Sequence, residues 1–216
     1  MPPNFDSTQF FVGLIIILLS ISLHEFGHAK SADAAGDPTP RNQGRVTLNP
    51  LAHLDPMGTI MILVTTLTGF GIGWGRPVMV RPDRMQNPRW DHFMSVLWGP
   101  LTNLILAIVF AAFYRLSNGD PTIAMIGTMG CFINIGLCMF NLLPLGPLDG
   151  HWLLGILLPP KIGQPFMQWS KAQGTMLLFI IIIADQTIFR NDVGVLDILL
   201  FRPATFLARM MLIGTP

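Results

Sequence analysis

Residues 10–28 read FFVGLIIILLSISLHEFGH, and the apolar part of this stretch decides the fold class. The segment 7–23 contains no charged side chain, and its length and apolarity predict a helix that spans a membrane. A secretory signal peptide would have a basic region before such a run and a small-residue cleavage site after it, and neither is present. We therefore interpret the run as a retained membrane helix that continues directly into HEFGH.

The composition of the chain agrees with a membrane protein. Of its 216 residues, 51% are hydrophobic and only 12% are charged, against about 25% charged residues in a soluble domain. The formal net charge of +1 offers no excess of charge for binding nucleic acid. Cys131 and Cys138 lie on one face of a single predicted helix, where they cannot bridge each other, so we expect both to pack inside the bundle.

Further uncharged runs predict the remaining spans. They are residues 56–75, 93–114 and 121–148, the shorter run 172–184 and the mixed tail 193–212. A 13-residue helix covers about 20 Å of a hydrocarbon core about 30 Å thick. The run 172–184 must therefore extend past Asp185 toward Phe189 or lie shallow. The tail is either an interfacial helix or a last, imperfect span.

We predict an all-α polytopic membrane protein, a transmembrane helix bundle of about 4–6 spans. The segment RVTL (45–48) has strand character, which predicts a small membrane-associated β element between the first span and the span at 93–114. No internal repeat divides the chain, so we treat 1–216 as one domain. Its motif-bearing core covers about 10–155, and C-terminal helices follow at 156–216.

The motif HEFGH places His24 and His28 four residues apart on one helix face, where two imidazoles reach one zinc ion. Glu25 is rotated about 100° from His24, so it is placed to act as the general base on the water that a catalytic zinc activates. Three ionisable residues within five positions are costly at membrane depth and indicate function. The alternative is that they only mark the end of the helix at the interface.

A catalytic zinc takes three protein ligands and leaves one position open, so a third ligand is expected. Asp149 is the first candidate, because it follows the run 121–148 where two prolines break the helix and Gly150 permits an unusual turn. An unwound segment at membrane depth is tolerated where it lines a polar cavity. His151 and His53 are the alternative ligands, and Asp149 has the alternative role of capping the segment that follows it.

Four motifs, in the same order along the chain, resemble those of the site-2 protease family, the zinc metalloproteases that cut their substrates within the membrane. They are HEFGH (24–28), GRVTLNPLAHLDPMGT (44–59), GPLTN (99–103) and NLLPLGPLDG (141–150). The chain is similar to the compact members, which lack PDZ and CBS domains. Trp98 stands where a small residue is common in that family, and the residues after about 156 match none of its motifs.

The resemblance implies a ligand set and an activity. The aspartate of the family's second motif is a zinc ligand and maps to Asp149, which implies one Zn²⁺ per chain held together with His24 and His28. The implied reaction is hydrolysis of peptide bonds within or near transmembrane segments, in regulated intramembrane proteolysis. The implied partners are transmembrane protein substrates and the lipid bilayer, and the oligomeric state is left open.

The path of the chain must bring Asp149 back to the side of the membrane where HEFGH lies. If residues 56–75 cross the membrane, the span at 121–143 ends on the opposite side. If residues 56–75 dip in and return, the same span ends beside the two histidines. The glycine-rich GFGIGWG (69–75) suits such a re-entrant or sheet-like segment.

The distribution of charge also favours the re-entrant path. In that path the loops 30–55 and 76–92 lie on one side, and together they hold Lys30, Arg41, Arg45, Arg76, Arg81, Arg84 and Arg89. The positive-inside rule makes that side cytoplasmic. We therefore expect a multi-pass protein of the plasma or inner membrane whose zinc site lies toward the cytoplasm, as the resemblance also implies.

The sequence offers candidate contacts for a substrate. An unwound substrate segment is expected to pair with RVTL or with a strand-like edge at 76–80. Asn103 and Asn141 are candidates for binding the oxyanion, with interhelical packing as the alternative. His53 is a candidate for orienting or gating its loop, with turn capping as the alternative.

Two interpretations from other classes remain beside the protease. One is a catalytically silent zinc-binding membrane scaffold, for which an intact HEFGH and Asp149 are unnecessary. The other is a metal transporter, for which the span 93–114 offers few polar residues beyond Asn103.

Overall fold

The structure is a computed structural model that describes residues 6–68, 73–189 and 193–213. Its α-helices are α1 (Ser7–Ala34), α2 (Thr39–Asn42), α3 (Pro56–Thr68), α4 (Pro88–Arg115), α5 (Pro121–Asn141), α6 (Asp149–Leu157), α7 (Pro160–Thr187) and α8 (Arg202–Ile213). Short 3₁₀ turns lie at Pro50–Ala52 and Pro82–Arg84, and a π-helical turn at Asp197–Phe201 precedes α8. The predicted all-α class is confirmed.

Four helices in these ranges are long and apolar enough to cross a membrane, namely α1, α4, α5 and α7. The protein is therefore a polytopic membrane protein, at the lower end of the predicted number of spans. Helix α4 is central and packs along both α1 and α5. Because α1 carries HEFGH and α4 carries GPLTN, this packing brings two of the sequence motifs together.

The helix starts follow from local capping chemistry. The Asp6 carboxylate accepts the backbone N–H groups of Thr8 and Gln9, and Asp120 does the same for Thr122 and Ile123. Side-chain acceptors of this kind satisfy N–H groups that have no partner inside the helix. Helices α4, α5 and α7 also carry a proline in their first turn, where no backbone N–H is needed.

Helix α7 extends past Asp185 as expected, but it reaches spanning length mainly by starting early. It starts at Pro160, well before the apolar run 172–184, and ends at Thr187, just past Asp185. The Asp185 carboxylate accepts the backbone N–H groups of Val195 and Leu196 at 2.9 and 2.7 Å. This acid is thus satisfied at the end of the span.

The C-terminal tail is helical, with α8 following directly on the π-helical turn at Asp197–Phe201. One face of α8, with Ala204 and Ala208, packs into a core cluster that includes Ala107 and Cys131. Both cysteines are free and buried, so the expected packing role is confirmed.

The expected β element is reduced to a single antiparallel bridge between Leu54 and Gly75 among the described residues. RVTL (45–48) forms bends and no strand, and residues 76–80 join no ladder. The β-branched residues of RVTL favour a strand, but a strand also needs a neighbouring segment with free backbone N–H and C=O groups. The Arg45 side chain instead turns inward and occupies a backbone carbonyl in the 76–80 segment.

The segment 54–75 returns to the place where it begins. Helix α3 covers about 20 Å, too little to cross a membrane. After it, Gly75 pairs with Leu54, and the backbone N–H of Arg76 donates to the carbonyl of His53 at 2.7 Å. The two ends therefore lie side by side, which is the geometry of a re-entrant segment. Residues 69–72 of the glycine-rich stretch lie outside the described residues.

A buried carboxylate fixes the loop that follows α1. Asp37 is fully buried and accepts the backbone N–H groups of Thr39 at 2.9 Å and Arg81 at 2.6 Å. Burial alone would raise the pKa of Asp37, but these hydrogen bonds outweigh it and lower the pKa. The anionic side chain thus ties the segment after residue 76 to the end of α1, beside the candidate site.

Candidate metal centre

One span and a short helix bring three ligand atoms together. His24 and His28 project from successive turns of α1, and Asp149 is the first residue of α6. The two Nε2 atoms are 3.0 Å apart, and the Asp149 Oδ2 atom lies 3.1 Å from that of His24 and 3.4 Å from that of His28. Among the described residues these three form the one cluster with metal-binding geometry.

The outer nitrogen of each imidazole is already engaged. His28 Nδ1 lies 2.8 Å from the carbonyl oxygen of Ser95, which only accepts, so Nδ1 carries a proton. His24 Nδ1 lies 2.6 Å from the Asn103 Oδ1 atom. The Asn103 amide nitrogen donates elsewhere, so its oxygen accepts from His24 in the same way. Both rings therefore direct Nε2, the metal-binding nitrogen, into the cluster.

The residues fit zinc. Imidazole nitrogen and carboxylate oxygen are zinc ligands at about 2.0–2.2 Å, so the ligands of a tetrahedral ion lie about 3.3–3.6 Å apart. The measured edges of 3.0–3.4 Å are close to that spacing. Oδ2 of Asp149 is buried and lacks a hydrogen-bond partner, and three acceptor atoms this close need a shared cation. His24, His28 and Asp149 would hold the zinc.

Helix α4 passes so close to this cluster that only glycine fits at position 99. A Cβ atom on Gly99 would lie 2.3 Å from the Nε2 atom of His28 and 2.7 Å from that of His24. Both distances are shorter than any ordinary contact. The GPLTN motif therefore begins with a glycine because the α4 backbone forms one wall of the metal centre.

Asp149 reaches the cluster through a turn that follows α5. Helix α5 ends at Asn141, and the turn at 142–148 then carries the chain to Asp149 at the start of α6. Gly150 does not adopt the unusual backbone conformation that we expected, since its φ angle is not positive. It is required instead for close approach, because a Cβ atom there would lie 2.2 Å from the carbonyl oxygen of Leu142.

Glu25 lies beside the cluster and is the only glutamate of the chain. Its Oε2 atom accepts the backbone N–H of Val78 at 3.1 Å and lies 3.8 Å from the guanidinium of Arg45. Its Oε1 atom makes no hydrogen bond with any residue that the structure describes. One carboxylate oxygen is therefore held by the protein while the other is free for a reacting group.

The ligands and Glu25 line a cavity of about 860 Å³. Its walls come from α1, α4, α5 and α7, from the segment 73–80 and from the turn that leads into Asp149. The cavity has space for an extended peptide segment as well as for the metal centre. Four of the elements that line it, α1, α4, α5 and α7, are long enough to span a membrane.

The structure separates the other predicted site residues. Asn103 is fully buried and bonded to His24, so its oxygen supports a ligand. Asn141 lines the cavity and donates one amide N–H to the Leu137 carbonyl at 2.9 Å. His53 and His151 are buried but belong neither to the ligand cluster nor to the residues that line the cavity.

One residue of this network was not predicted from the sequence. Asn134 is fully buried in α5 and accepts the Asn103 amide N–H at 3.0 Å, while its own amide donates to the Gly130 carbonyl. It fixes which way the Asn103 amide points. The available signal was an amide side chain in the middle of an apolar span, where a polar group requires a partner.

Comparisons with known proteins agree with this centre. The chain is 36% identical to "Putative zinc metalloprotease YwhC" of Bacillus subtilis over 181 residues, 79% of either chain. It is 31% identical to the protein named Rip2 of Mycolicibacterium smegmatis, over 80% of this chain and 69% of that one, and Rip2 carries the same zinc metalloprotease description. No family model matches the chain, and no solved structure gives a significant match.

The chain belongs to this zinc metalloprotease family. The names of the relatives imply zinc, and the ligand cluster of this zinc metalloprotease fits zinc on its own geometry. The matched region covers about four fifths of the chain.

The close approach of α4 gives a first test. Gly99→Ala should lower the zinc content of the purified protein, because the new methyl group displaces both imidazoles from the cluster. Gly136→Ala is the matched control, since a Cβ atom there meets no atom within 4 Å. Elemental analysis after dialysis against a weak chelator measures the effect. Equal zinc in both variants would contradict the assigned position of the metal.

The Asn103 contact gives a second test. Asn103→Ala should lower zinc affinity by about 10–100-fold, the usual effect of removing a hydrogen bond that orients a metal-ligating histidine. Competition with a fluorescent zinc chelator measures this affinity. Thr102→Ala serves as the control, because the Thr102 hydroxyl bonds only to a carbonyl of its own helix. Unchanged affinity in Asn103→Ala would return this residue to a packing or substrate role.

Proposed function

We propose that this protein is an intramembrane zinc metalloendopeptidase of the site-2 protease type, which hydrolyses peptide bonds within or near transmembrane segments of membrane proteins. One observation carries the proposal: the metal cluster lies inside a spanning helix and not at its end. His24 lies about 25 Å from the start of α1, and the helix continues for about 9 Å after His28. A substrate bond must therefore enter the helix bundle to reach the centre.

The contacts of each group in the site indicate its role in the reaction. When bound, zinc supplies Lewis acidity, which polarises the scissile carbonyl and lowers the pKa of water. The free Oε1 atom of Glu25 takes a proton from the attacking water and passes it to the leaving amine nitrogen. Hydrolysis consumes one water and gives a new carboxylic acid and a new amine, which at neutral pH exist as carboxylate and ammonium, so the proton count balances. His24, His28 and Asp149 stay as ligands throughout.

We assign the oxyanion contact to Asn141 in preference to Asn103. Asn103 is fully buried and its amide is used by His24, Asn134 and the Ser20 carbonyl. Asn141 lines the cavity and uses only one of its two amide N–H donors, on Leu137. The second N–H is available to a developing negative charge, which is where a hydrogen-bond donor accelerates such a reaction.

The segment 76–80 is the better candidate for pairing with an unwound substrate. The backbone N–H and C=O of Arg76 and the N–H of Val78 all bond inward, to His53, Arg45 and Glu25. Alternate residues of a strand direct their backbone groups to opposite sides. The N–H of Met79, which is 64% exposed, is therefore assigned to the outer edge, where an added peptide strand can pair.

The proposed orientation follows the re-entrant path of the chain. With 54–75 returning to its starting side, the arginine-rich loops before α3 and before α4 share one side of the membrane. The positive-inside rule assigns that side to the cytoplasm. The proposed location is the plasma or inner membrane, with the zinc site toward the cytoplasmic side.

The general-base role is tested in proteoliposomes that contain a single-span reporter substrate. Glu25→Gln should retain one zinc per chain and lose cleavage by at least about 100-fold, because general-base catalysis is removed while the ligands remain. His28→Ala should lose zinc as well as cleavage. Asp33→Asn, an acid on the same helix that pairs with exposed Arg41, is the control and should cleave normally.

Each alternative function predicts a different result in the same vesicles. Normal cleavage by Glu25→Gln would remove this residue from the mechanism. Bound zinc without cleavage by the wild type would favour a silent scaffold. Zinc flux across the vesicle membrane, without cleavage, would favour a transporter.

The strand-pairing contact is tested at Met79. Met79→Pro removes the outward backbone N–H and should raise KM for the reporter, whereas Met79→Ala retains the N–H and should not. Zinc content should be the same in both variants, since Met79 does not contact the ligands. A Met79→Pro protein with wild-type KM would argue against pairing at this edge.

A further inference from the structure

Arg45 is a buried cation in the loop that follows α2. Its residue is 4% exposed, and an arginine side chain stays protonated in proteins. A buried charge is costly unless it is paired. Its only ion-pair partner among the described residues is Glu25, which is itself largely buried. The neighbouring pair of Arg41 and Asp33 is different, because Arg41 is 69% exposed.

The Arg45 guanidinium joins two parts of the site. It faces Oε2 of Glu25 and also donates to the backbone carbonyl of Arg76. The next inward donor of the same segment, the N–H of Val78, reaches Oε2 of Glu25 at 3.1 Å. Glu25, Arg45 and the 76–78 backbone thus form one closed unit of two hydrogen bonds and one ion pair.

The loop that carries Arg45 is held in shape independently of Glu25. His53 is fully buried, and its Nε2–H donates to the carbonyl of Thr47 at 2.8 Å, which closes the loop on itself. Burial lowers the pKa of His53 and the nearby Arg45 charge acts in the same direction, which together outweigh the hydrogen bond to Thr47. The backbone of His53 accepts from Arg76. The guanidinium is therefore presented by a preformed support.

The consequence falls on one oxygen of Glu25. Val78 donates a hydrogen bond to Oε2 and Arg45 forms an ion pair with it at 3.8 Å, while Oε1 has no described hydrogen-bond partner. A carboxylate that swings freely presents either oxygen in many orientations. A carboxylate held at Oε2 by a cation and an N–H presents Oε1 in one orientation, which favours proton transfer.

We propose that Arg45 is a positioning residue for the general base: it holds Oε2 of Glu25 together with the Val78 N–H, and so directs Oε1 toward the reacting centre. The proposal rests on the proposed function of Glu25. It also assigns a purpose to the segment GRVTLNPLAHLDP (44–56), which holds no metal ligand.

The test compares Arg45→Gln and Arg45→Lys with Arg41→Gln, using the full chain in proteoliposomes. Arg45→Gln and Arg41→Gln each remove one positive charge from the same loop region, so membrane topology is affected equally. We expect Arg45→Gln to keep zinc and to lose kcat by about 100-fold, with KM little changed. Arg45→Lys should recover part of kcat, and Arg41→Gln should match the wild type.

Two readouts separate positioning from simple support of the fold. Guanidinium ion at millimolar concentration should restore part of the kcat of Arg45→Ala and have no such effect on Glu25→Gln. Hydrogen exchange measured on chelator-treated protein should be faster at the Val78 amide in Arg45→Gln than in the wild type. This second readout needs neither metal nor activity.

The outcomes distinguish failure of the Arg45 positioning role from failure of the proposed function. If Glu25→Gln is inactive while Arg45→Gln keeps wild-type kcat and Val78 exchange, the positioning role is wrong and the proposed function stands. A raised KM with normal kcat in Arg45→Gln would make Arg45 a support for substrate pairing only, and would overturn the proposal. If Glu25→Gln cleaves normally, the proposed function itself fails.

Discussion

The convergence of two imidazole nitrogens and one carboxylate oxygen within 3.0–3.4 Å is the constraint on which the rest of the structure depends. The ligands come from α1 and from the start of α6, which are separated by more than half of the chain. The chain must therefore leave α1, pass through α4 and α5, and return to the same depth. The re-entrant segment around α3 satisfies this requirement, because the chain returns to its starting side without an additional membrane crossing.

Polar groups inside an apolar bundle need partners, and here each partner has a use. The carbonyl of Ser95 and the amide oxygen of Asn103 accept hydrogen bonds from the outer nitrogens of the two histidines, and Asn134 in turn holds the Asn103 amide. In doing so they fix both rings with Nε2 inward. The closeness of α4 that makes these bonds short also excludes any side chain at Gly99. The close packing of α1 against α4 therefore also orients the metal-binding nitrogens of the two histidines.

A second layer of contacts surrounds Glu25 and differs in kind from the first. The ligands are oriented by spanning helices, whereas Glu25 is oriented by the loop at 44–56 and the segment at 76–78. Asp37 and His53 secure these two pieces by hydrogen bonds to Arg81 and Arg76. In the proposed function, the segment that holds Glu25 also pairs with the substrate peptide, so binding of the peptide and orientation of the base meet in one piece of backbone.

The sequence by itself determined the helical membrane class and the pairing of His24 and His28, and it named Asp149 as the first of three candidate third ligands. These rest on local rules: apolar length sets a span, a four-residue spacing sets a helix face, and a costly acid at membrane depth indicates function. Only the tertiary structure decided what Asn103, Asn134, Arg45 and Gly99 do. Their roles depend on which atoms of other helices and loops lie within a few ångströms, and spacing along one chain holds no record of such distances. For the same reason RVTL forms a bend. A strand requires a neighbouring strand for its backbone hydrogen bonds, and here the Arg45 side chain bonds to a backbone carbonyl instead.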